Sequence, residues 1–395
     1  MKKDWEIKKL GDICEFRRGL TYSKNDEVEN SSNAVLRSNN IDLITNRLDL
    51  SEIKYISDKI KIDETKKVKR DSLLICTANG SKAHLGKVAL IDDDYDFAFG
   101  GFMGLLIPSE SVYPRFFYYA LISENYKKFI KSLSDGANIN NLKFQDLSKF
   151  EVPVLPLEEQ KRIVKILDEK FVQLETIKAN AQTNLQNAKD LFQSQLTRAF
   201  SNTTWEKKRL DEVCAITSKL VDPTLPEYLD LYHVGGANIE SETGILLDLK
   251  TSKEEGLSSG KFTFDESMVL YNKIRPYLKK VARPDFAGLC SADMYPLNPK
   301  NNITKDYLYY ILTSDDFTQY AISKSDRAGM PKVNREALFA YKCYLPPLPE
   351  QKRIVEQLDS LSEKTKALQN IYEQMLLDCE ELKQSFLCKA FAGEL

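Results

Sequence analysis

The chain is 395 residues long, 42% hydrophobic and 29% charged, with a formal net charge of −2 and seven cysteines. That length suits two domains, each with its own core. The near balance of charge excludes a protein coated all over in cations, yet leaves room for a locally basic groove that meets phosphates.

Cys14, Cys76, Cys214, Cys290, Cys343, Cys379 and Cys388 form no C-x-x-C pair, a spacing that suits neither zinc nor a disulfide framework. The first residues, MKKDWEIKKLGD, lack the apolar core of a signal peptide, and no 18-residue apolar run exists. A cytoplasmic protein is expected.

In chain order, WEIKKLGDIC (5–14) opens a first region. Strand-like runs follow at DSLLICT, KVALI and EVPVLP, with a short helical pattern at YPRFFYYALIS. Then comes PLEEQKRIVKILDE (156–169), after which residues 157–200 contain neither Gly nor Pro. The whole order repeats. WEKKRLDEVC (205–214) opens a second region with strand-like SMVLY, KVARP and CYLPPLP, and PLPEQKRIVEQLDS (347–360) leads into another Gly- and Pro-free stretch, 350–392. The string EQKRIV returns unchanged.

Ile354, Leu358, Leu361, Thr365, Leu368, Tyr372, Met375, Cys379, Leu382 and Phe386 alternate steps of four and three, the spacing of a coiled-coil seam. The first stretch gives Val164, Leu167, Phe171, Leu174, Ala181, Leu185, Ala188 and Phe192, interrupted by Lys178 and Gln195. Each helix of about 40 residues would be roughly 60 Å long. The expected fold is α/β (α+β): two pseudo-symmetric globular domains joined by two long antiparallel helices in a coiled coil. The domains span 1–155 and 201–346, and the helical segments 156–200 and 347–395. Phe391 should lie near Trp5 as Phe200 lies near Trp205.

A globular region ending VPVLPLEEQKRIV or CYLPPLPEQKRIV, then a long helix ending LKQSFLCKAFAGEL, resembles the specificity subunits of type I restriction–modification systems. The resemblance covers the whole chain. It implies a non-catalytic subunit whose two target-recognition domains each read half of a split DNA sequence. The helices would set the gap and dock two methylation subunits, which restriction subunits would join. S-adenosylmethionine, ATP and Mg²⁺ would be bound by those partners and no cofactor by this chain.

The residues agree that catalysis is sparse. No glycine-rich phosphate loop and no Asn/Asp-Pro-Pro-aromatic methyltransferase motif occurs. Glu6-x-Lys8 and Glu206-x-Lys208 match the end of a metal-dependent nuclease pattern, but E-x-K is short and reads better as a solvated edge.

Base reading needs side chains at groove edges, and phosphate contact needs Lys and Arg. Three segments per region qualify. NKIRPYLKKVAR (272–283) is acid-free and supplies Lys273, Arg275, Tyr277, Lys279 and Lys280, preceded by Tyr271. Its counterpart TANGSKAHLGK (77–87) supplies Asn79, Ser81, Lys82, His84 and Lys87. LRSNNID offers Arg37, Asn39 and Asn40, matched by His233 and Asn238 of HVGGANIE, though an Asn-rich turn reads equally as loop structure. GANINNLK offers Asn138, Asn140 and Lys143, matched by Arg327, Lys332 and Asn334 of RAGMPKVN. Because these segments differ between regions while the scaffold repeats, the DNA target should be asymmetric.

Glu159 or Glu350 in the first turn favours the helix dipole. That does not account for the identical Gln160-Lys161-Arg162 and Gln351-Lys352-Arg353, which read as a duplicated docking site for two identical partners. A structural adaptor that bridges two identical proteins without reading DNA is the alternative from another class.

Overall fold

The computed structural model describes residues 5–135, 141–201, 204–325 and 331–395. Two compact units divide the chain: Met1–Ala181 with Gln374–Leu395, and Gln182–Glu373. Each unit takes the start of one long helix (Leu157–Phe200 or Leu348–Ala392) and the end of the other.

Among the described residues, unit 1 is built from three sheets. Glu6–Lys9 pairs antiparallel with Glu151–Val154. A four-stranded antiparallel sheet runs in the order Cys14–Arg18, Met103–Pro108, Leu73–Cys76, Val88–Leu90. A second sheet of four has Asn33–Leu36 parallel to Phe97–Phe99. Unit 2 repeats the first two, pairing Glu206–Arg209 with Lys342–Leu345, and Cys214–Ala215 through Met294–Pro299 and Val269–Asn272 to Val281–Ala282. Its third sheet has five strands, again with a parallel contact, Tyr232–Val234 to Gly288–Cys290. Of the runs read as strands from the sequence, DSLLICT and SMVLY form strands covered on both faces: all four residues of Leu73–Cys76 and of Val269–Asn272 are buried.

The helix segments complete each core. In unit 1, Ile163, Val164 and Leu167 share a cluster with Leu387 and Ala390. In unit 2, Leu196 joins Ile354, Val355 and Leu358. Lys178, which interrupts the first stripe, pairs with Glu380. The strict heptad reading of the last helix fails at Leu368 and Leu382, which are 39% and 47% exposed. A helix of 3.6 residues per turn drifts about 20° per heptad against a 3.5 repeat. Gln369 and Lys383 are accordingly less exposed, and Lys383 lies over the Phe171 ring at 5.8 Å. As the repeat predicts, Trp5 packs in the cluster of Phe391 and Trp205 in that of Phe200.

The repeated phrase proves to be an internal clamp. Gln160 and Gln351 are both 0% exposed, which removes them from the expected docking surface. Gln160 Oε1 accepts from the Tyr113 N–H at 2.7 Å, and Nε2 donates to the carbonyls of Ser111 and Leu155 at 2.9 and 2.7 Å. Gln351 repeats this with Thr304, Asn302 and Pro346, each at 2.9 Å. Two turns further on, Asp168 accepts from Tyr119 and Arg115, and Asp359 from Tyr310 and Arg283. The arginine comes from a helix start in unit 1 and from beyond a strand in unit 2, yet the ion pair is the same. Glu6 and Glu206 sit on exposed strands and pair with Lys8 and Lys208, as solvated edges do.

Replacing Gln160 by Leu orphans three main-chain groups at once and should destabilise unit 1 by about 2–3 kcal/mol in urea unfolding. Lys161→Ala, at an exposed surface pair, should change it by less than about 0.5 kcal/mol.

Candidate nucleic-acid interface

In each unit the three candidate segments meet at one end of the four-stranded sheet. The strand Leu73–Cys76 leads into Thr77, whose carbonyl accepts from Leu142 N–H at 2.7 Å, and Ala78 bridges Asn141. Val269–Asn272 leads into Lys273, whose carbonyl accepts from Val333 N–H at 3.0 Å, and Ile274 bridges Lys332. The LRSNNID and HVGGANIE segments join from the other side. Asn79 Nδ2 donates to Ser38 Oγ at 2.9 Å in unit 1, and Lys280 Nζ donates to the Gly236 carbonyl at 2.5 Å in unit 2. Asn138, Asn140 and Arg327 lie outside the described residues.

Several predicted base readers are instead builders of these loops. Asn40 is 1% exposed: its Oδ1 caps Arg37 N–H at 2.8 Å, and its Nδ2 donates to Asp49 and Glu52 carbonyls at 2.8 and 2.9 Å. Asn238 repeats the arrangement with Gly235, Leu247 and Asp248. Lys87 is buried, donating to the Ile41 carbonyl at 2.7 Å, and burial holds its ammonium below the ordinary lysine value. Tyr271 is buried edge-on against Phe317 at 5.4 Å. Lys279 is turned to Asp315 and Gln193. A buried amide or ammonium must be paired inside the fold, which spends Asn40 and Lys87 there; Asn238 and Lys279, only half-buried, are held by bonds of the same kind.

His233 is also buried, with Nδ1 2.8 Å from Glu255. Burial pushes the imidazole below 6.5 more strongly than the facing carboxylate raises it. His84 is half-buried, its Nδ1 without a partner among the described residues.

The side chains left facing solvent are Asn39, Ser81, Lys82 and Lys143 in unit 1, and Arg275, Tyr277, Lys332 and Asn334 in unit 2. Lys82 reaches the Ser134 carbonyl at 3.1 Å, and the Asn334 Oδ1 caps Ala337 at 2.7 Å, leaving its amide nitrogen free to donate. Arg37 is half-buried, its Nε without a partner among the described residues. Arg275 and Lys279 both adopt left-handed backbone, at φ 51° and 46°, around the turn Pro276–Leu278 that presents Tyr277, half exposed. Such strain costs roughly 1–3 kcal/mol per residue and is concentrated at functional sites.

The electrostatics suit an anion. Lys273 is held below the ordinary lysine value by burial and by the neighbouring Lys332 and Arg335 cations, with Asp293 as the opposing carboxylate at 3.8 Å. Arg335, exposed on the helix Arg335–Ala340, was not singled out in the sequence; its place directly after the RAGMPKVN segment is the signal that could have found it.

The family model for the type I restriction modification DNA specificity domain matches residues 2–186 and again 202–376. The chain belongs to the type I specificity-subunit family. It is 31% identical over 314 residues to the type I restriction enzyme EcoDI specificity subunit of Escherichia coli, covering 71% of this chain and 70% of that protein. It is 25% identical to the StySPI specificity subunit of Salmonella potsdam, covering 100% and 90%. Among solved structures, the HsdS subunit of Thermoanaerobacter tengcongensis shares the fold at TM-score 0.61 and 19% identity, covering 100% of this chain and 98% of that one. A chain from a study of assembly and conformational transition of the type I R-M system reaches TM-score 0.80 at 19% identity, covering 100% and 99%. In this specificity subunit the family match repeats once per unit, and so does the loop cluster.

Among the described residues no helix is long and apolar enough to cross a membrane. The His233 geometry gives a pH dependence of known sign. The folded state binds the proton less readily than the unfolded chain, so stability present above about pH 6.5 is lost as pH falls through the lowered folded value. Unfolding free energy should therefore decline from about pH 7.5 to 5.5, and the decline should be shallower in His233→Gln, as followed by urea titration.

Proposed function

We propose that this chain is the sequence-specific DNA-recognition subunit of a type I restriction–modification complex, each unit reading one half of a split, asymmetric target. The observation that carries this is the pair of loop clusters, hung on corresponding main-chain hydrogen bonds but ending in different side chains. Asn39, Ser81 and Lys143 in one unit and Arg275, Tyr277 and Lys332 in the other offer different donors to base edges. The buried Lys87 and Asn40 and the half-buried Lys280 and Asn238 hold the frames.

Two methylation subunits dock on the helix starts through Lys161, Arg162, Lys352 and Arg353, and restriction subunits join that complex. Arg162 and Arg353 are presented in bidentate pairs with Glu159 and Glu350. The partners bind S-adenosylmethionine, ATP and Mg²⁺; this chain contributes recognition without chemistry, in the cytoplasm.

The test is base-resolution mapping of adenine methylation in a methylation-free host that co-expresses the chain with its methylation subunit. A single split, non-palindromic motif is expected, and Arg275→Ala with Lys332→Ala should alter one half alone. A palindromic motif would refute the asymmetric reading. A stable complex without methylation would favour the adaptor that bridges two identical proteins. Exchanging Lys161, Arg162, Lys352 and Arg353 for Glu should abolish co-purification with the methylation subunit while changing stability by less than about 1 kcal/mol. Unchanged co-purification would remove the helix starts as the docking site.

A further inference from the structure

The chain has 19 phenylalanines, and Phe102 alone among them is more than a third exposed, at 73%. Its neighbours in sequence are anchored: Phe99 is 0% and Met103 is 1% exposed. Its backbone is held more firmly still. The Phe102 carbonyl accepts from Thr77 N–H at 2.9 Å, Ala78 N–H at 3.1 Å and Thr77 Oγ1 at 3.0 Å. Gly100 N–H donates to the Leu36 carbonyl at 2.9 Å, tying the same loop to the segment that carries Arg37 and Asn39. A large apolar ring standing in water on so constrained a loop gains nothing for the fold, since it packs on no core cluster.

The ring stands in the middle of the unit 1 loop cluster. Thr77 and Ala78, which grip its carbonyl, are the residues that pair with Asn141 and Leu142 next to Lys143. Unit 2 offers a contrast at the same place. There Lys273 N–H donates to the Asp293 carbonyl at 3.2 Å, the bond that Thr77 makes to Phe102. Unit 2 thus has an exposed carboxylate where unit 1 has an exposed ring.

We infer that Phe102 is a DNA wedge, its ring inserted into the base stack of the half-site read by unit 1, while the half-site read by unit 2 is contacted without such insertion. This rests on the proposed reading of DNA by both units. An apolar side chain partly unstacks a base step and stacks on whichever base it meets, and pyrimidine–purine steps give way most easily. The half-site of unit 1 is therefore expected to hold a TA or CA/TG step at the ring. Asp293 can accept a hydrogen bond from a cytosine amino group, but has no face to stack. Phe102 would then select sequence through deformability, beside the hydrogen bonds from Asn39 and Ser81.

The experiment uses the complete complex with its methylation subunits and a duplex of the mapped target. Permanganate reactivity of thymines and fluorescence of 2-aminopurine placed along each half report unstacking. Besides the adenine that a methylation subunit extrudes in each half, wild type should show one further unstacked step, away from the methylated position and in the unit 1 half alone. Phe102→Ala should lose that signal and bind at least about tenfold more weakly, with unchanged melting temperature, and Phe102→Trp should restore both. Equal binding and equal unstacking by Phe102→Ala would overturn the wedge. So would loss of the methylation subunits from the Phe102→Ala complex, which would put the ring on a protein interface. If wild type itself prefers no target over random duplex, the DNA reading fails with it; selective binding by wild type that Arg275→Ala weakens keeps that reading whatever Phe102 does.

Discussion

The amide of Gln160 satisfies three main-chain groups where the first long helix leaves its domain, and the amide of Gln351 does the same for the second. Each bond is modest alone. The asymmetry lies in losing them, because a buried N–H or carbonyl without a partner costs about 1–3 kcal/mol. A glutamate would add a buried charge and a leucine would leave all three groups orphaned. Glutamine at that helix position is thus dictated by the chain segments it joins, and the angle at which the domain leaves its helix follows from it. Asp168 and Asp359, with their tyrosine and arginine partners, fix the same joint two turns further along.

From that joint outward, the molecule separates frame from tip. Asn40 and Asn238 tie down one loop in each unit, and Lys87 and Lys280 span from the basic segment to the same loop by donating to a carbonyl. These side chains are polar because the groups they meet are main-chain carbonyls, which need donors. What projects beyond the frame differs between units. Asn79 is hydrogen-bonded within its loop, whereas Arg275 is held out on left-handed backbone; Phe102 is a bare ring, whereas Asp293 faces a lysine. The frame is shared and the tips are unlike.

The order of elements, the strands and both long helices were legible from apolar runs, from the repeat and from the absence of Gly and Pro. The convergence of the three segments chosen for their Lys, Arg and Asn content is a finding of the structure, in each unit. Roles within them were not legible. Asn40 and Asn39 are adjacent and identical in type, yet one is buried with every polar atom used and the other is exposed. Lys87 and Lys82 differ in the same way. Polar residues at a binding edge and polar residues that hold the edge in shape carry the same letters; only the neighbouring carbonyls tell them apart. Phe102 and Phe99 are likewise of one type and close in sequence, yet one is 73% exposed and the other 0%.

The sequence by itself determined that the chain is written twice, that each copy is a mixed α/β domain feeding a long helix, and which family it belongs to. Those properties reside in local pattern: period two in strands, period near three and a half in helices, and strings that recur. The tertiary structure decided which side chains are spent inside the fold. Gln160 and Gln351, read as a docking surface, became clamps, because partners for their amides come from segments some 50 positions away in sequence. Pairing of buried polar groups depends on distances across the fold, and a linear pattern carries no record of them.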